Sequence, residues 1–592
     1  MQNFSLRAKM VCYIFVFALL CLFSRLIYMQ FITGTVYKEI SKDKISVNIV
    51  DRAARGEITD RYGRVLARDI SSYSVNLAHN LAPKKEYDIA VEECLKILAD
   101  YNIPITDDEI DADTGIFCLA ENLHAEAATR LKELSAEFPC VLVRENYTRE
   151  YLNDSIASHI LGRVGKINSE EYKDYNTYGY SIHDYIGKQG VERLAESYLK
   201  GTCGTIKIGE NTLESTPSVP GNNVMLTIDY EMQSVLEKSL SERIAQIREK
   251  GSFKSGIDAF SGAGVVIDVN SGEILACASC PTFDINSFTE NYSFLINDEN
   301  LPLWNRAVSG TYSPGSTFKP LVALAALESK SIKTDEVIVD KGIYDYYKDY
   351  RPRCWVWTEK HTTHGEINVS QAIECSCNYF FYEAGRRTGI KNISDIASQF
   401  GLGEYTGVGL IEEARGYVAN PENKKKVFKS IKQQSWYGAD TLQASIGQSI
   451  HSYTPLQLAN YVATLANGGK RYKLSLVKSV RSASDESLVF ESKPIIENEI
   501  SIDDDNLKSV LSGMKNVIEE GSAKAIFDGY HVAIGGKTGT AQVGSMVSNN
   551  AIFTAFAPFD KPEIAVCIVL EHGVKGANAA YVAKDLFDYY FK

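Results

Sequence analysis

Tyr312-Ser313-Pro314-Gly315-Ser316-Thr317-Phe318-Lys319-Pro320, followed by the apolar run Leu321–Leu327, is the stretch on which the fold turns. Tyr312–Gly315 reads as a turn. The run behind it reads as a helix, so Ser316 stands at or near a helix N-terminus. There, free backbone N–H groups and the helix dipole favour developing negative charge. Lys319 comes three residues later and faces the same side one turn on. A lysine drawn into a dry cleft has its pKa lowered, because burial disfavours the charged form. A neutral amine beside a hydroxyl can take its proton and make a nucleophile without histidine. Taken alone, S-x-x-K is a weak signal and reads first as a serine N-cap followed by a surface lysine.

Two triplets further along change that reading. Ser376-Cys377-Asn378 follows the first motif, and Gly535-Gly536-Lys537-Thr538-Gly539-Thr540 lies near the end of the chain. Glycines beside a lysine–threonine pair mark a strand whose backbone something must approach closely. Each triplet is common; their order and spacing together are specific.

The elements around them predict an α+β domain, an antiparallel sheet flanked by helices and built from both ends of residues 219–592. Asn223–Asp229 reads as a short strand and Glu231–Glu249 as an amphipathic helix. Val265–Val269 and Glu273–Ala278 read as two strands joined at Asn270-Ser271-Gly272. Ile552–Pro558 and Ile564–Glu571 repeat that pattern, and a helix, Ala579–Tyr590, follows. Upstream, Leu119–Phe138 and Val191–Leu199 show helical apolar spacing. Thr216–Gly221, with Pro217 and Pro220, punctuates the chain.

The set S-x-x-K, S-x-N, K-T-G resembles that of penicillin-binding proteins and serine β-lactamases. Longer strings resemble class B penicillin-binding proteins, the monofunctional peptidoglycan D,D-transpeptidases. They are Arg55-Gly56-Glu57-Ile58-Thr59-Asp60-Arg61, Gly187 with Gly190-Val191-Glu192, Leu226-Thr227-Ile228-Asp229, Asn305-Arg306-Ala307 and Thr454–Ala459. Cys354-Trp355 with His364-Gly365 is most similar to the elongation type. Two strings depart from the pattern: Gly447-Gln448-Ser449 stands where Gly-Gln-Gly is usual, and Asn550-Ala551-Ile552-Phe553 where His-Ala-Trp-Phe is.

The resemblance implies roles. Ser316 would be the nucleophile, Lys319 its general base, and Ser376 a proton relay to the leaving amine. Asn378 would hydrogen-bond the donor peptide. Lys537 would supply positive potential, while Thr538, Gly539 and Thr540 would hold the substrate and its terminal carboxylate. The N–H groups of Ser316 and Thr540 would form the oxyanion hole. No cofactor or metal is expected. The substrates would be peptidoglycan stem peptides and lipid-linked precursor polymer, with β-lactams acting as mimics. Class B members lack a glycan-polymerising domain, so a multi-span membrane glycosyltransferase would be the partner. A D,D-carboxypeptidase differs only in whether water or an amine takes the acyl group. A β-lactamase would share the motifs but must activate water, and a scaffold of a cell-wall complex could carry them too.

The rest of the chain sets the location. An unbroken apolar run from Met10 to Phe23 continues past Ser24 and Arg25 to Ile32, about 34 Å of helix, enough to cross a bilayer core. We read 1–9 as a cytoplasmic tail, 10–32 as a single transmembrane anchor, 33–51 as a stalk, 52–218 as a pedestal of the dimerisation type, and 219–592 as an extracytoplasmic transpeptidase domain. Arg7 and Lys9 before the run agree with that orientation. The net charge of −13 over 592 residues argues against a nucleic-acid binder. The twelve cysteines are too sparse for a disulfide scaffold. Cys277 and Cys280, with no second C-x-x-C, read as small buried residues, and Cys375 and Cys377 as packed thiols. His364 reads as a hydrogen-bonding loop residue, and Lys424-Lys425-Lys426 as a solvated loop. The aromatic stretch Ile343–Trp357 is read as core in preference to cleft lining.

Overall fold

The computed structural model describes residues 2–32, 47–106, 116–152, 155–178, 180, 184–209 and 212–592. Its packing divides the chain into two units, each with its own hydrophobic core. The first comprises Met1–Arg55, Asp69–Arg149 and Lys200–Gly221; the second comprises Gly56–Arg68, Glu150–Leu199 and Asn222–Lys592. The units change over after Gly221, at the end of the proline-punctuated stretch. Gly56–Arg68 and Glu150–Leu199, from the expected 52–218 region, pack with the second unit.

The first unit starts with helix α1, Gln2–Ile27, which tightens into π-helical turns over Tyr28–Ile32. Ala8–Phe31 contains an 18-residue window of mean hydropathy 2.4 and is long and apolar enough to cross a membrane. Its large apolar side chains are exposed, as a helix solvated by hydrocarbon requires. Residues 33–46 of the expected stalk lie outside the described residues, and its last five form strand β1, Val47–Asp51. Strand β2, Val65–Ala78, pairs from Tyr73 onward with β3, Ile116–Leu123. Between them comes α2, Lys84–Asp100, and after them α3, Ala125–Glu137, and β4, Val141–Tyr151. Val75 and Leu77 pack there with Cys94, Leu98 and Leu131. The helix expected over Leu119–Phe138 is therefore two elements. Leu119–Leu123 is drawn into the ladder with β2, and the helix begins only where the His124 side chain caps Ala127 N at 3.3 Å. Strands β5, Gly204–Gly209, and β6, Thr212–Thr216, complete a three-stranded antiparallel sheet with β1.

The second unit is built on helix α4, Tyr230–Glu249, and strands β7, Gly262–Asp268, and β8, Ile274–Cys280. Three helices that carry or flank the site follow: α5, Lys319–Glu328; α6, Val369–Glu374; and α7, Asn378–Gln399. Then come α8, Pro455–Ala466, and α9, Asp504–Glu519. The chain ends with β9, Gly535–Ala541; β10, Asn550–Ala557; β11, Ile564–Leu570; and α10, Gly576–Tyr590. The sheet order is β8-β7-β11-β10-β9, antiparallel throughout. Both ends of the domain thus meet in one sheet, as the strand pattern predicts, because β7 pairs with β11 from Gly262↔Leu570 to Asp268↔Ile564.

Every residue of β10 and β11 is buried, so both faces of the sheet are covered. Helix α8, itself buried along its whole length, covers one face, and the paired α4 and α10 cover the other. Several of the family-like strings are structural. Thr227 Oγ1 donates to Ile274 O at 2.7 Å, and Asp229 caps α4 through Met232 N at 3.1 Å. Arg306 is buried on Glu571 at 3.1 Å. Thr454 and Gln457 form the capping box of α8.

Helix α10 begins directly on β9. A Cβ at Gly576 would lie 2.6 Å from Gly539 O and 2.8 Å from Gly539 N. Both are backbone atoms of a strand and cannot swing aside. Gly576→Ala is expected to cost about 1–3 kcal/mol by overpacking and to lower the melting temperature; an unchanged melting curve would show that β9 is free to shift there.

Candidate active site

Gly315–Phe318 forms a short 3-10 turn that runs straight into α5. At three residues per turn, Ser316 and Lys319 eclipse on one side. Ser316 stays half-buried, whereas Lys319 has no exposed surface. The turn between α6 and α7 closes on it. Lys319 Nζ donates to Ser376 O at 2.7 Å, to Ser376 Oγ at 3.1 Å and to Asn378 Oδ1 at 2.7 Å. Ser376 takes a left-handed φ of 55° to do this, a conformation that costs a non-glycine residue about 1–2 kcal/mol. Neighbouring bonds hold it, Ser376 N to Ile373 O at 3.2 Å and Cys377 N to Ala372 O at 3.0 Å.

Strand β9 brings the third motif alongside. A Cβ at Gly539 would meet Pro314 O and Thr317 Cγ2, each at 2.9 Å, and one at Gly315 would lie 3.0 Å from Thr540 O. Only bare backbone lets the Ser316 turn and the strand come this close. Gly447 makes the second such contact: its φ is +75°, and a Cβ there would sit 2.0 Å from Gly315 O. Ser449 nearby holds a left-handed φ of 66°, which glycine would adopt without strain, so serine at this departure from Gly-Gln-Gly takes up backbone strain.

Lys537 on β9 is also without exposed surface, and its Nζ reaches Thr538 O at 3.2 Å. Burial pushes the Lys319 amine down to about 8, against the opposing pull of the thiols of Cys354, Cys377 and Cys375. Lys537 is held well below the ordinary lysine range, first by burial and then by the Lys319 charge. Thr538 and Thr540, two apart on the strand, share a face. Thr540 is exposed, and its Oγ1 accepts from Gly576 N at 3.3 Å. Thr538 is nearly buried, with its Oγ1 2.5 Å from Ser522 Oγ. The structure therefore gathers Ser316, Lys319, Ser376, Asn378, Lys537, Thr538, Gly539 and Thr540 at one place.

The sequence reading misses a second cluster beside them. Asp340, Cys354, His364 and Cys377 place their ligand atoms within 4.8 Å of one another. His364 Nδ1 lies 2.8 Å from Asp340 Oδ2, and the Cys354 and Cys377 sulfurs are 3.8 Å apart. A hydrogen bond from Cys377 pulls the Cys354 thiol below its ordinary range. Two thiols, an imidazole and a carboxylate are the donors zinc takes; these four residues would hold it, and the ion would supply a structural cross-link at the turn that carries Ser376. No short motif marks the set, because Asp340 meets His364 only through the pairing of Ile338–Asp340 with Gly365–Ile367.

Other expectations need correction. Lys424 is not solvated: it lies on a helix, Pro421–Val427, nearly buried, and pairs with Asp440 at 2.7 Å. The aromatic stretch divides. Tyr344 is buried on Glu383 at 2.6 Å, while Tyr346 is exposed.

The four-donor cluster is expected to bind about one zinc per chain, read by elemental analysis of the detergent-solubilised protein. Chelation is expected to lower the melting temperature by a few degrees. Cys354→Ser and His364→Ala should abolish both effects; zinc retained by both variants would place the ion elsewhere.

Comparison with known proteins identifies the family. Residues 262–588 match the family model described as the penicillin binding protein transpeptidase domain, and residues 50–226 that of the penicillin-binding protein dimerisation domain. The peptidoglycan D,D-transpeptidase MrdA of Acinetobacter baumannii is 31% identical over 614 residues, covering 97% of this chain and 86% of the relative. The penicillin-binding protein PBP2 of Helicobacter pylori, solved in complex with MreC, superposes with a TM-score of 0.76 at 25% identity, covering 92% of this chain and 98% of that one. A chain from a peptidoglycan synthase complex that coordinates polymerization and crosslinking gives a TM-score of 0.73 at 28% identity, covering 99% and 98%. With both domains matched in order and over nearly its whole length, the chain belongs to the penicillin-binding proteins, as an elongation-type member of class B.

Proposed function

We infer that the protein cross-links peptidoglycan stem peptides by serine acyl transfer and is acylated by β-lactams at the same serine. The observation that carries this reading is the buried Lys319 amine, held by Ser376 and Asn378 at the turn that bears Ser316. With its pKa pushed down to about 8, a useful fraction is neutral near pH 7 and can accept the Ser316 proton. Ser316 Oγ then attacks the penultimate D-alanine carbonyl. The oxyanion is stabilised by the N–H groups of Ser316 and Thr540, close together because Gly315 and Gly539 allow it.

Collapse breaks the peptide bond. The leaving D-alanine amine takes a proton through Ser376, which shares the Lys319 amine. An acceptor amine on a neighbouring stem then attacks the acyl-enzyme and returns the proton to Ser316. Strand β9 ends the sheet order, so its outer edge is available to an extended donor peptide. Thr538 and Thr540 hold the terminal carboxylate. An arriving carboxylate favours the charged form of Lys537, so the positive potential assigned to that residue is restored by the substrate itself.

The α1 helix anchors the chain, with Arg7 and Lys9 on the cytoplasmic side and the catalytic unit extracytoplasmic. The 52–218 region acts as the pedestal that meets partners. A multi-span glycosyltransferase supplies the glycan polymer; the relative from a synthase complex that coordinates polymerization and crosslinking supports this, and the relative solved in complex with MreC supports contact with a further partner protein.

Intact mass after brief penicillin exposure is expected to show one long-lived adduct, absent from Ser316→Ala with an unchanged melting curve. An adduct persisting in that variant would remove Ser316 as nucleophile. A rapidly lost adduct would make the protein a β-lactam hydrolase, and release of D-alanine without cross-linked product a carboxypeptidase. The base must be neutral to act, so acylation should rise with pH, about tenfold per unit below pH 8, and level off above it; a profile flat from pH 6 to 9 would exclude Lys319 as the base.

A further inference from the structure

Ser522 lies outside the three motifs, yet the fold delivers it to one of them. It follows α9 on a tight turn. Gly521 N donates to Asn516 O at 2.8 Å. A Cβ at Gly521 would lie 2.8 Å from Val517 Cα and 2.9 Å from Glu374 O. Asn516 Nδ2 also donates to Glu374 Oε2 at 3.2 Å. The turn is thus seated on the last residue of α6, immediately before the Cys375-Ser376-Cys377 segment. From there Ser522 Oγ reaches 2.5 Å from Thr538 Oγ1, its only side-chain partner among the described residues. Ser522 is exposed, so the pair is not demanded by burial of an unsatisfied hydroxyl on its side.

Two hydroxyls in one hydrogen bond share a single proton, and each can play either part. A carboxylate facing Thr538 removes that freedom, because it only accepts. Thr538 must then give its own proton to the carboxylate and accept from Ser522. The second bond polarises the first, since donors in a chain strengthen one another. We propose that Ser522 is a positioning residue for the substrate's terminal carboxylate: it orients the Thr538 hydroxyl as a donor and completes a set of three hydroxyls with Thr538 and Thr540. This rests on the reading that Thr538 and Thr540 hold that carboxylate. It adds that the α9–β9 connection, through Gly521 and Ser522, ties the carboxylate-binding strand to the end of α6 that carries Ser376.

The experiment compares benzylpenicillin with its methyl ester, which lacks the anionic carboxylate. Acylation is followed by intact mass on the full chain in detergent, in the wild type, Ser522→Ala, Ser522→Thr and Thr538→Val, with a melting curve for each. Ser522→Ala is expected to slow acylation by the acid about five- to tenfold, the loss of one hydrogen bond of ordinary strength. The loss should appear as weaker binding before acylation, with the covalent step little changed. The ester should react alike with both proteins, and Ser522→Thr should restore the acid. Equal slowing of acid and ester would make Ser522 merely structural and overturn the proposal, as would no slowing of either. If Thr538→Val fails to change the acid-to-ester ratio, the carboxylate reading of β9 fails and takes the proposal with it; that result is distinct from one in which Thr538→Val is selective and Ser522→Ala is not.

Discussion

Two lysines share one dry place, and much of the catalytic unit is arranged around that constraint. Lys319 and Lys537 are both without exposed surface. Burial lowers both amines, and the Lys319 charge lowers Lys537 further. Two ammonium groups so close in low dielectric cannot both persist without compensation. The Ser376–Asn378 turn offers Lys319 three acceptors and so sets where the remaining charge sits. Lys537 is held lower still, by burial and by that neighbouring charge. Two residues of one type are thereby given different electrostatic surroundings.

The turn that receives Lys319 faces two ways. Ser376 and Asn378 face the amine, while Cys377 between them faces Asp340, Cys354 and His364. A left-handed serine at its apex would relax if unsupported. Hydrogen bonds back to α6 and the sulfur that caps α7 at Phe380 N, 3.4 Å away, hold it. The four-donor cluster and the reactive centre therefore lean on the same three residues from opposite sides.

Close backbone approach is the other recurring device. Gly315, Gly447, Gly539 and Gly576 each stand where a Cβ would meet backbone atoms of another segment. Together they pin the 3-10 turn of Ser316 between the Gly447 loop and β9, and β9 in turn against the start of α10. Side-chain packing alone could not bring these backbone segments so close, because any Cβ at these points would hold them apart.

The order of the three motifs, the helix behind Ser316, the strands of the central sheet and the apolar N-terminal helix are all legible in the amino-acid sequence. They rest on properties read along the chain: turn residues, apolar period and length. Leu119–Leu123 shows the limit of that reading, since a helical spacing yields to a neighbouring strand that supplies ladder hydrogen bonds. Lys424 in its lysine run looks solvated until Asp440 is folded against it. Asp340 and His364, or Ser522 and Thr538, become partners only through an antiparallel strand pairing and a turn seated on α6. No residue type or spacing demands those contacts, because they join segments distant in the chain. The amino-acid sequence thus determined which chemistry the protein carries, and the tertiary structure alone decided which groups tune and orient it.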